Sequence, residues 1–296
     1  MGKILVIGGA NIDIIGYLKA PMINKDSNVG EVAMSYGGVG RNIVENLARL
    51  KTDVTFLTSI GQDAYSKSME EELLSLGVHL YTPENQSSSY YIAMIGPDHD
   101  MEVALCDSRA TDVITAEYLA NYDALIRKFT WVVIDGNLSK ETIDYFFTHY
   151  PHHKIIVDAI STAKALKFLP YLDKITCFKA NIYEAQAIFG QVASAEMLIK
   201  EAVKRQIPFM IITQGSKPII YCYHGEVYSI EVPIRQDIVN ATGAGDAFLS
   251  GVTYELLKGH NNHQAMIALG KKMASMTLLS LKATHPQIIK VLEEDK

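Results

Sequence analysis

Cysteine, tryptophan and surplus positive charge are all scarce in this 296-residue chain. It has three Cys, one Trp, and 27 Lys and Arg against 33 Asp and Glu, a formal net charge of −6. Cys106, Cys177 and Cys222 are odd in number and their spacing resembles no zinc motif. Neither a disulfide framework nor a zinc site is expected, and a reducing compartment is. The negative balance disfavours nucleic acid as a partner, because phosphate neutralisation draws on excess Lys and Arg. A small anionic ligand needs only a local electropositive site. No uncharged apolar run is long enough to span a bilayer. The first apolar stretch, Ile4 to Leu18, is broken by Gly8, Gly9, Asn11 and Asp13, and only Lys3 precedes it, unlike a secretory leader. The expected location is the cytoplasm, with no membrane partner. Also missing are a G-x-x-x-x-G-K-[ST] loop and a G-x-G-x-x-G after a strand, which excludes the two commonest nucleotide-binding loops. No repeat, low-complexity tract or Pro/Ser-rich linker appears, so residues 1–296 are expected to form one domain.

What is present is a hydrophobic fraction of 48% and a regular alternation of short apolar runs with helical patterns. Lys3 to Ile7, Val54 to Ser59, Trp131 to Asp135, Lys154 to Asp158, Lys174 to Phe178 and Phe209 to Thr213 read as buried strands. Helical patterns run over about Arg41 to Leu50, Ser66 to Leu76, Ala116 to Phe129, Lys140 to Tyr150, Tyr183 to Phe189 and Ala195 to Gln206. Two more follow, Ala244 to Leu257 and His263 to Leu281. Ser139 is a candidate N-cap and Gly77 a candidate stop. This alternation predicts an α/β fold with a mostly parallel sheet between helical layers. Residues 12–35 and 87–107 break the rhythm. Ser89 to Ile95, Pro97-Asp-His-Asp and Met101 to Leu105 read as a hairpin. Together these stretches predict a small β-lid at strand ends, where open α/β sheets bind ligands; a surface hairpin without a role is the alternative. Ile219 to Tyr223 and Val227 to Val232 form a late antiparallel pair turned at His224-Gly225.

The most informative segment is Asn240-Ala-Thr-Gly-Ala-Gly-Asp246, which opens a long helix. Gly243, Ala244 and Gly245 are small residues at a helix N-terminus, where backbone N–H groups lack partners and the helix dipole attracts anions. A carboxylate directly after such a nest would repel a bound phosphate, and general-base chemistry gives a reason for that arrangement. An ordinary Gly-rich helix start with an acidic first turn reads the same residues. Tyr36-Gly37-Gly38-Val39-Gly40-Arg41-Asn42 leads into another helix, with Asn42 able to bond hydroxyls. Asn11 and Asp13, two apart after the first strand, suit a vicinal diol. Taken singly, each has a bland reading as turn or cap chemistry. His149, His152 and His153 read as loop residues, and Asn261 and Asn262 as caps.

With these motifs the sequence resembles the ribokinase-like PfkB family of carbohydrate and nucleoside kinases over essentially its whole length. Asn240 to Asp246 looks like the family's C-terminal signature and Gly37 to Asn42 like its N-terminal glycine motif. Lys179-Ala-Asn181-Ile-Tyr-Glu184 resembles its N-x-x-E motif, and Thr213-Gln-Gly215 a strand-end segment that contacts nucleotide phosphates. The resemblance implies a three-layer ribokinase-like sandwich with a small β-lid. It implies Asp246 as base, with Gly243, Ala244 and Gly245 forming an anion hole. Asn181, Thr213, Gly215 and Thr242 would meet the nucleotide, and Asn181 and Glu184 would act on Mg²⁺ through water. Asn11, Asp13, Gly37, Gly38 and Asn42 would hold sugar hydroxyls. Arg41, Asn137 and the lid residues Ser89 and Tyr91 are further substrate candidates; for Arg41, a salt-bridged helix position is the equal alternative. Part of the adenine pocket would come from about Ala265 to Leu279.

Within the family the resemblance is closest to the pseudouridine kinases. It is carried by Gly37 to Leu50, with Arg41 where ribokinase-type sequences have alanine, by Ser88-Ser-Tyr90, and by Ile114 to Leu119. It implies ATP-dependent phosphorylation of a nucleoside 5′-hydroxyl. A kinase of another nucleoside or sugar, such as adenosine or ribose, is the near alternative. A catalytically silent ligand-binding regulator is the alternative from another class. The signature departs from the family in starting Asn240-Ala241 rather than with aspartate, which in relatives helps bind a monovalent cation, so K⁺ stays an open cofactor. Ala180 replaces a common proline. The lid's strand edges and apolar face suggest a homodimer through the lid.

Overall fold

The computed structural model describes residues 2–83, 87–98, 100–191 and 194–293. His99, in the hairpin turn read from the sequence, lies outside the described residues. Among the described residues there are thirteen strands. They are β1 (Ile4–Ile7), β2 (Asn11–Leu18), β3 (Gly30–Gly37), β4 (Val54–Leu57), β5 (His79–Tyr81), β6 (Tyr90–Ile95), β7 (Met101–Asp107) and β8 (Trp131–Asp135). There follow β9 (Lys154–Asp158), β10 (Cys177–Asn181), β11 (Phe209–Gln214), β12 (Lys217–Tyr223) and β13 (Glu226–Ile230).

Nine strands form one sheet in the order β13-β12-β11-β10-β9-β8-β1-β4-β5. From β5 to β11 all pairings are parallel, and β12 and β13 add an antiparallel edge. The central strands are apolar along their length because both faces are covered. Ile4 and Val6 pack with Ile43, Leu47, Phe248 and Val252 from helices on one side. Leu5 and Ile7 pack with Ile143, Phe146 and Leu198 on the other. The result is the helix–sheet–helix sandwich expected. Ser139 caps the helix Lys140–His149 through Thr142 N, and Gly77, at φ 85°, follows the helix Ala64–Ser75.

Local differences have local causes. The strand read at Lys174 to Phe178 starts at Cys177 and runs to Asn181, because a 3₁₀ helix with an internal proline, Leu166–Lys174, occupies the preceding residues. The helix read over Ala116 to Phe129 is two short helices, Ala116–Asn121 and Asp123–Ile126, separated at Tyr122. The last long helix, His263–Thr277, stops four residues early and is capped by Asn262 through Ala265 N. The three-residue edge strand β5 has no sequence signal of its own. Among the described residues no helix is long and apolar enough to cross a membrane.

The two stretches that broke the βα rhythm build a separate four-stranded sheet, β3-β2-β6-β7. Its register sorts the side chains. Ser35, Asp13, Tyr91 and Cys106 stand in one row across the four strands, so they share a face. The adjacent row, Met34, Ile14, Ile92 and Leu105, belongs to the opposite face.

Candidate active site

Two helix N-termini converge at the carboxyl ends of the central strands. One opens the helix Ala244–Leu257, and Gly243 before it sits in the left-handed region at φ 79°. A β-carbon on Gly243 would fall 1.9 Å from the Ala283 carbonyl oxygen, so glycine is required there twice over. The first turn then carries Asp246, buried at 8% exposure. The other opens the helix Val39–Arg49, which presents Asn42. Asn42 Nδ2 donates to Asp246 Oδ2 at 2.8 Å, joining residues 204 positions apart.

Beneath this contact lies a row of charged strand residues. Asp135 ends β8, Asp158 ends β9, and Lys179 lies at the centre of β10. In register, Asp135 pairs with Asp158, and Asp158 with Lys179. Lys179 Nζ donates to Asp158 Oδ2 at 2.9 Å. Asp135 accepts from Gly9 N at 3.0 Å, Gly40 N at 3.1 Å and Asn137 N at 2.7 Å. It thereby ties β1, β8 and the start of the helix Val39–Arg49 together.

Negative charge dominates this centre. Burial pushes the Asp246 carboxyl well above its ordinary range, and the neighbouring Asp158 pushes it further, against Asn42 and Lys179. Burial likewise raises Asp135 despite its backbone donors. Glu184 is raised by burial, opposed by its bond from Asn181 N. Burial alone would lower Lys179, but the carboxylates of Asp158, Asp246 and Glu184 hold it above its ordinary value. Perturbed groups gathered in this way mark a functional-site candidate.

On the small-sheet side, Asn11 and Asp13 both lie on β2, and Asn11 Nδ2 donates to Asp13 Oδ1. Asp13 is pushed up to about 6 by burial, with Arg41 and Asn11 opposing. Gly37 packs directly on its carboxylate: a β-carbon there would stand 2.1 Å from Asp13 Oδ2. On the other side opens a cleft of about 450 Å³. Thr213, Gly215, Ala244 and Gly245 line its inner end, and Phe248, Ala274 and Leu278 give it apolar walls. Lys271, Ala274 and Ser275 come from the helix His263–Thr277, the segment expected to line a base pocket.

The remaining sequence candidates scatter around this core. Asn181 Oδ1 accepts from Tyr183 N and Glu184 N, each at 2.9 Å, while Glu184 Oε2 accepts from Asn181 N at 2.7 Å. The N-x-x-E pair is therefore a capping box at the start of Ile182–Phe189. Thr242 N donates to Asn240 Oδ1, and Asn240 Nδ2 to the Leu281 carbonyl at 3.2 Å. Asn137 Oδ1 accepts from Lys164 Nζ at 2.5 Å. Ser89, 4% exposed, accepts from Thr111 N, and Tyr91 stands beside Asp13 in the small sheet. Gly38 precedes the helix Val39–Arg49. Arg41 is not brought to Asp246. Its guanidinium is ion-paired with Glu45, lies 3.9 Å from Glu72 and donates to the Tyr36 carbonyl at 3.0 Å.

Sequence reasoning passed over Asp135, Asp158 and Lys179. Their signal was available: the apolar strands WVVID and KIIVD each end on an aspartate, and CFKAN carries a lysine at its centre.

Residues 1–290 match the family described as pfkB family carbohydrate kinase. A pseudouridine kinase of Escherichia coli (strain K12) is 31% identical over 257 residues, covering 84% of this chain and 82% of the relative. A guanosine-inosine kinase of Exiguobacterium acetylicum is 25% identical over 306 residues, covering 99% and 100%. Among solved structures, a carbohydrate kinase from Agrobacterium tumefaciens is 27% identical with a TM-score of 0.82, covering 99% of this chain and 96% of the other. A ribokinase from Giardia lamblia shares the fold at 16% identity, with a TM-score of 0.84 and full coverage of both chains.

Proposed function

The chain belongs to the pfkB family of carbohydrate kinases, and we propose that it transfers the γ-phosphoryl group of ATP to the 5′-hydroxyl of a nucleoside, pseudouridine first among them. The observation that carries this reading is the buried Asp246, oriented by Asn42 at a helix N-terminus between a nucleotide-sized cleft and the polar pair Asn11–Asp13. The pseudouridine kinase relative, at 31% identity, supports the choice of acceptor.

In this mechanism ATP lies in the cleft with its triphosphate at Gly245, Gly215 and Thr213. Adenine rests against Ala274, Phe248 and Leu278. The acceptor's ribose meets Asn11, Asp13 and Asn42, with Gly37 and Gly38 alongside, and its 5′-hydroxyl lies beside Asp246. Asp246 takes the hydroxyl proton as the new O–P bond forms. The bond from the γ-phosphorus to the β–γ bridging oxygen breaks, and ADP leaves with its electron pair. The N–H groups at Gly243 and Gly245, with that of Ala244, which also donates to the Ala241 carbonyl at 3.4 Å, hold the equatorial charge.

Asn181 and Glu184 fit a Mg²⁺ bound through water. Asn181 Oδ1 is committed to two backbone donors, and a carboxylate oxygen is the hard donor this ion accepts, while magnesium keeps much of its own water. A Mg²⁺ held there through water would supply charge neutralisation to the triphosphate.

The small sheet acts as a lid, its Asp13–Tyr91 face turned to the acceptor and excluding water. On its other face Val32, Met34, Ile92, Met94, Val103 and Leu105 are 37–75% exposed. A patch of that kind suits burial against the same face of a second copy.

The test is ADP release with Mg²⁺–ATP against pseudouridine, uridine, adenosine, guanosine, cytidine and ribose. The expected result is strong preference for pseudouridine. Preference for another acceptor would overturn the substrate and leave the reaction standing, and no turnover with any would overturn the reaction.

A further inference from the structure

Lys179 stands where every part of the site meets, yet none of the steps above uses it. A lysine is seldom buried on a parallel strand, because removing an ammonium from water is unfavourable unless it is paired. Lys179 is 7% exposed and donates to Asp158 at 2.9 Å. If neutralising Asp158 were its whole purpose, an apolar pair of similar volume would serve the fold as well or better.

Its position points to more. An ammonium has three N–H donors, and Asp158 accepts one. A β-carbon on Gly245 would stand 2.7 Å from Nζ, so the charge lies directly against that residue. Gly245 lines the cleft and belongs to the first turn of the helix that carries Asp246. The ammonium therefore borders the place where the cleft, the helix N-terminus and the carboxyl of Asp246 come together. It is also the cation set among Asp158, Asp246 and Glu184. A phosphoryl group in transfer needs positive charge at that point, and backbone N–H groups supply only partial charges.

We propose that Lys179 is a further catalytic residue, its ammonium contacting the transferring phosphoryl group while Asp158 holds it in place. The proposal rests on the kinase reading above. Lys179 donates hydrogen bonds to the equatorial oxygens and exchanges no proton. The acceptor's proton still goes to Asp246, one O–P bond forms, and the bond to the ADP oxygen breaks. Glycine at 245 is then needed for two reasons: the anion must approach the helix N-terminus, and the lysine tip must reach the anion.

The experiment compares wild type with Lys179→Met and with the double variant Lys179→Met/Asp158→Asn, which removes the lysine together with its hydrogen-bonded ion-pair partner. Turnover is measured with the acceptor wild type prefers. Binding of ADP and of the β,γ-imido analogue of ATP, each with Mg²⁺, is measured by calorimetry. Both variants are expected to lose about 10²–10³-fold in kcat, the scale for removing one donor from a transition-state hole. Acceptor KM and ADP affinity should stay within about threefold of wild type, while the preference for the analogue over ADP falls. Unchanged kcat and analogue preference in the double variant would overturn the proposal. So would parallel loss of ADP and analogue binding, which marks a structural role. Should wild type turn over no acceptor, the kinase reading fails separately, and the analogue-to-ADP comparison still decides for or against Lys179.

Discussion

Arg41 and Asn42 are neighbours on one helix, and they serve two buried polar centres built on opposite terms. Arg41 looks into a balanced network: it pairs with Glu45, Glu45 also pairs with Arg49, and Arg49 reaches Glu72 at 3.3 Å. Burial alone would raise the Glu45 carboxyl, but Arg41 and Arg49 carry it below its ordinary range. Asn42 looks into an unbalanced centre, where Asp246, Asp158 and Glu184 surround Lys179, and burial, with Asp158 and Asp135 nearby, pushes Asp246 up. In the first centre each carboxylate faces a guanidinium, although Arg41 Nε is buried without a hydrogen-bond partner. The second holds more carboxylates than cations, although Asp135 and Glu184 also accept backbone N–H bonds; on the kinase reading proposed above, the magnesium complex of ATP offsets that excess. That contrast, more than burial itself, separates a structural polar cluster from a catalytic one.

The contrast can be broken from either side. The largest stability effect is expected for Glu45→Ala, which strands Arg41 in the interior and should destabilise the protein by about 3–5 kcal/mol. Denaturant unfolding checks this; because Arg41 also donates to Asn42 Oδ1 at 3.2 Å, turnover per folded molecule should fall as well, by less than for a change at Asp246. Because Glu45 is depressed, its contribution is present above the ordinary carboxylate range and is lost as pH falls through its folded pKa. The gap between variant and wild type should therefore close in acid.

A smaller effect of opposite sign is expected on the other side. Asp13 is raised to about 6, so the folded state holds its proton more tightly than the unfolded state does. Its unfavourable contribution appears as pH rises from about 4 through about 6 and persists above. Asp13→Asn should match wild type in acid and exceed it near neutrality by up to about 3 kcal/mol, given about 1.36 kcal/mol per pKa unit. Melting curves across that range decide it, and equal stability of the two proteins at neutral pH would contradict it.

The sequence made the two centres unequally legible. The Asp246 segment and Asn42 announce themselves because glycine runs at helix starts are local signals, and the βα alternation specifies the sandwich because buried parallel strands are apolar throughout. The small sheet was readable from its break in rhythm. Asp135, Asp158 and Lys179 were not singled out, because their proximity is created by strand order and register, which join residues 20 or more apart. The fate of Arg41 was equally hidden: whether an arginine faces a ligand or Glu45 depends on helix rotation and on Glu72, brought from a distant helix. The N-x-x-E pair shows the converse, a motif legible in the sequence whose residues also form a capping box, with Asn181 Oδ1 and Glu184 Oε2 taken by backbone donors.

The most direct test of this account is Asp246→Asn, measured for turnover and for melting temperature together at about pH 8. If the raised carboxylate is kept for chemistry, turnover falls by about 10²–10⁴-fold, the usual scale for a general base, while the melting temperature holds or rises because a buried charge has been removed. Turnover near that of wild type, or a marked loss of stability, would make Asp246 a structural carboxylate and contradict the central claim.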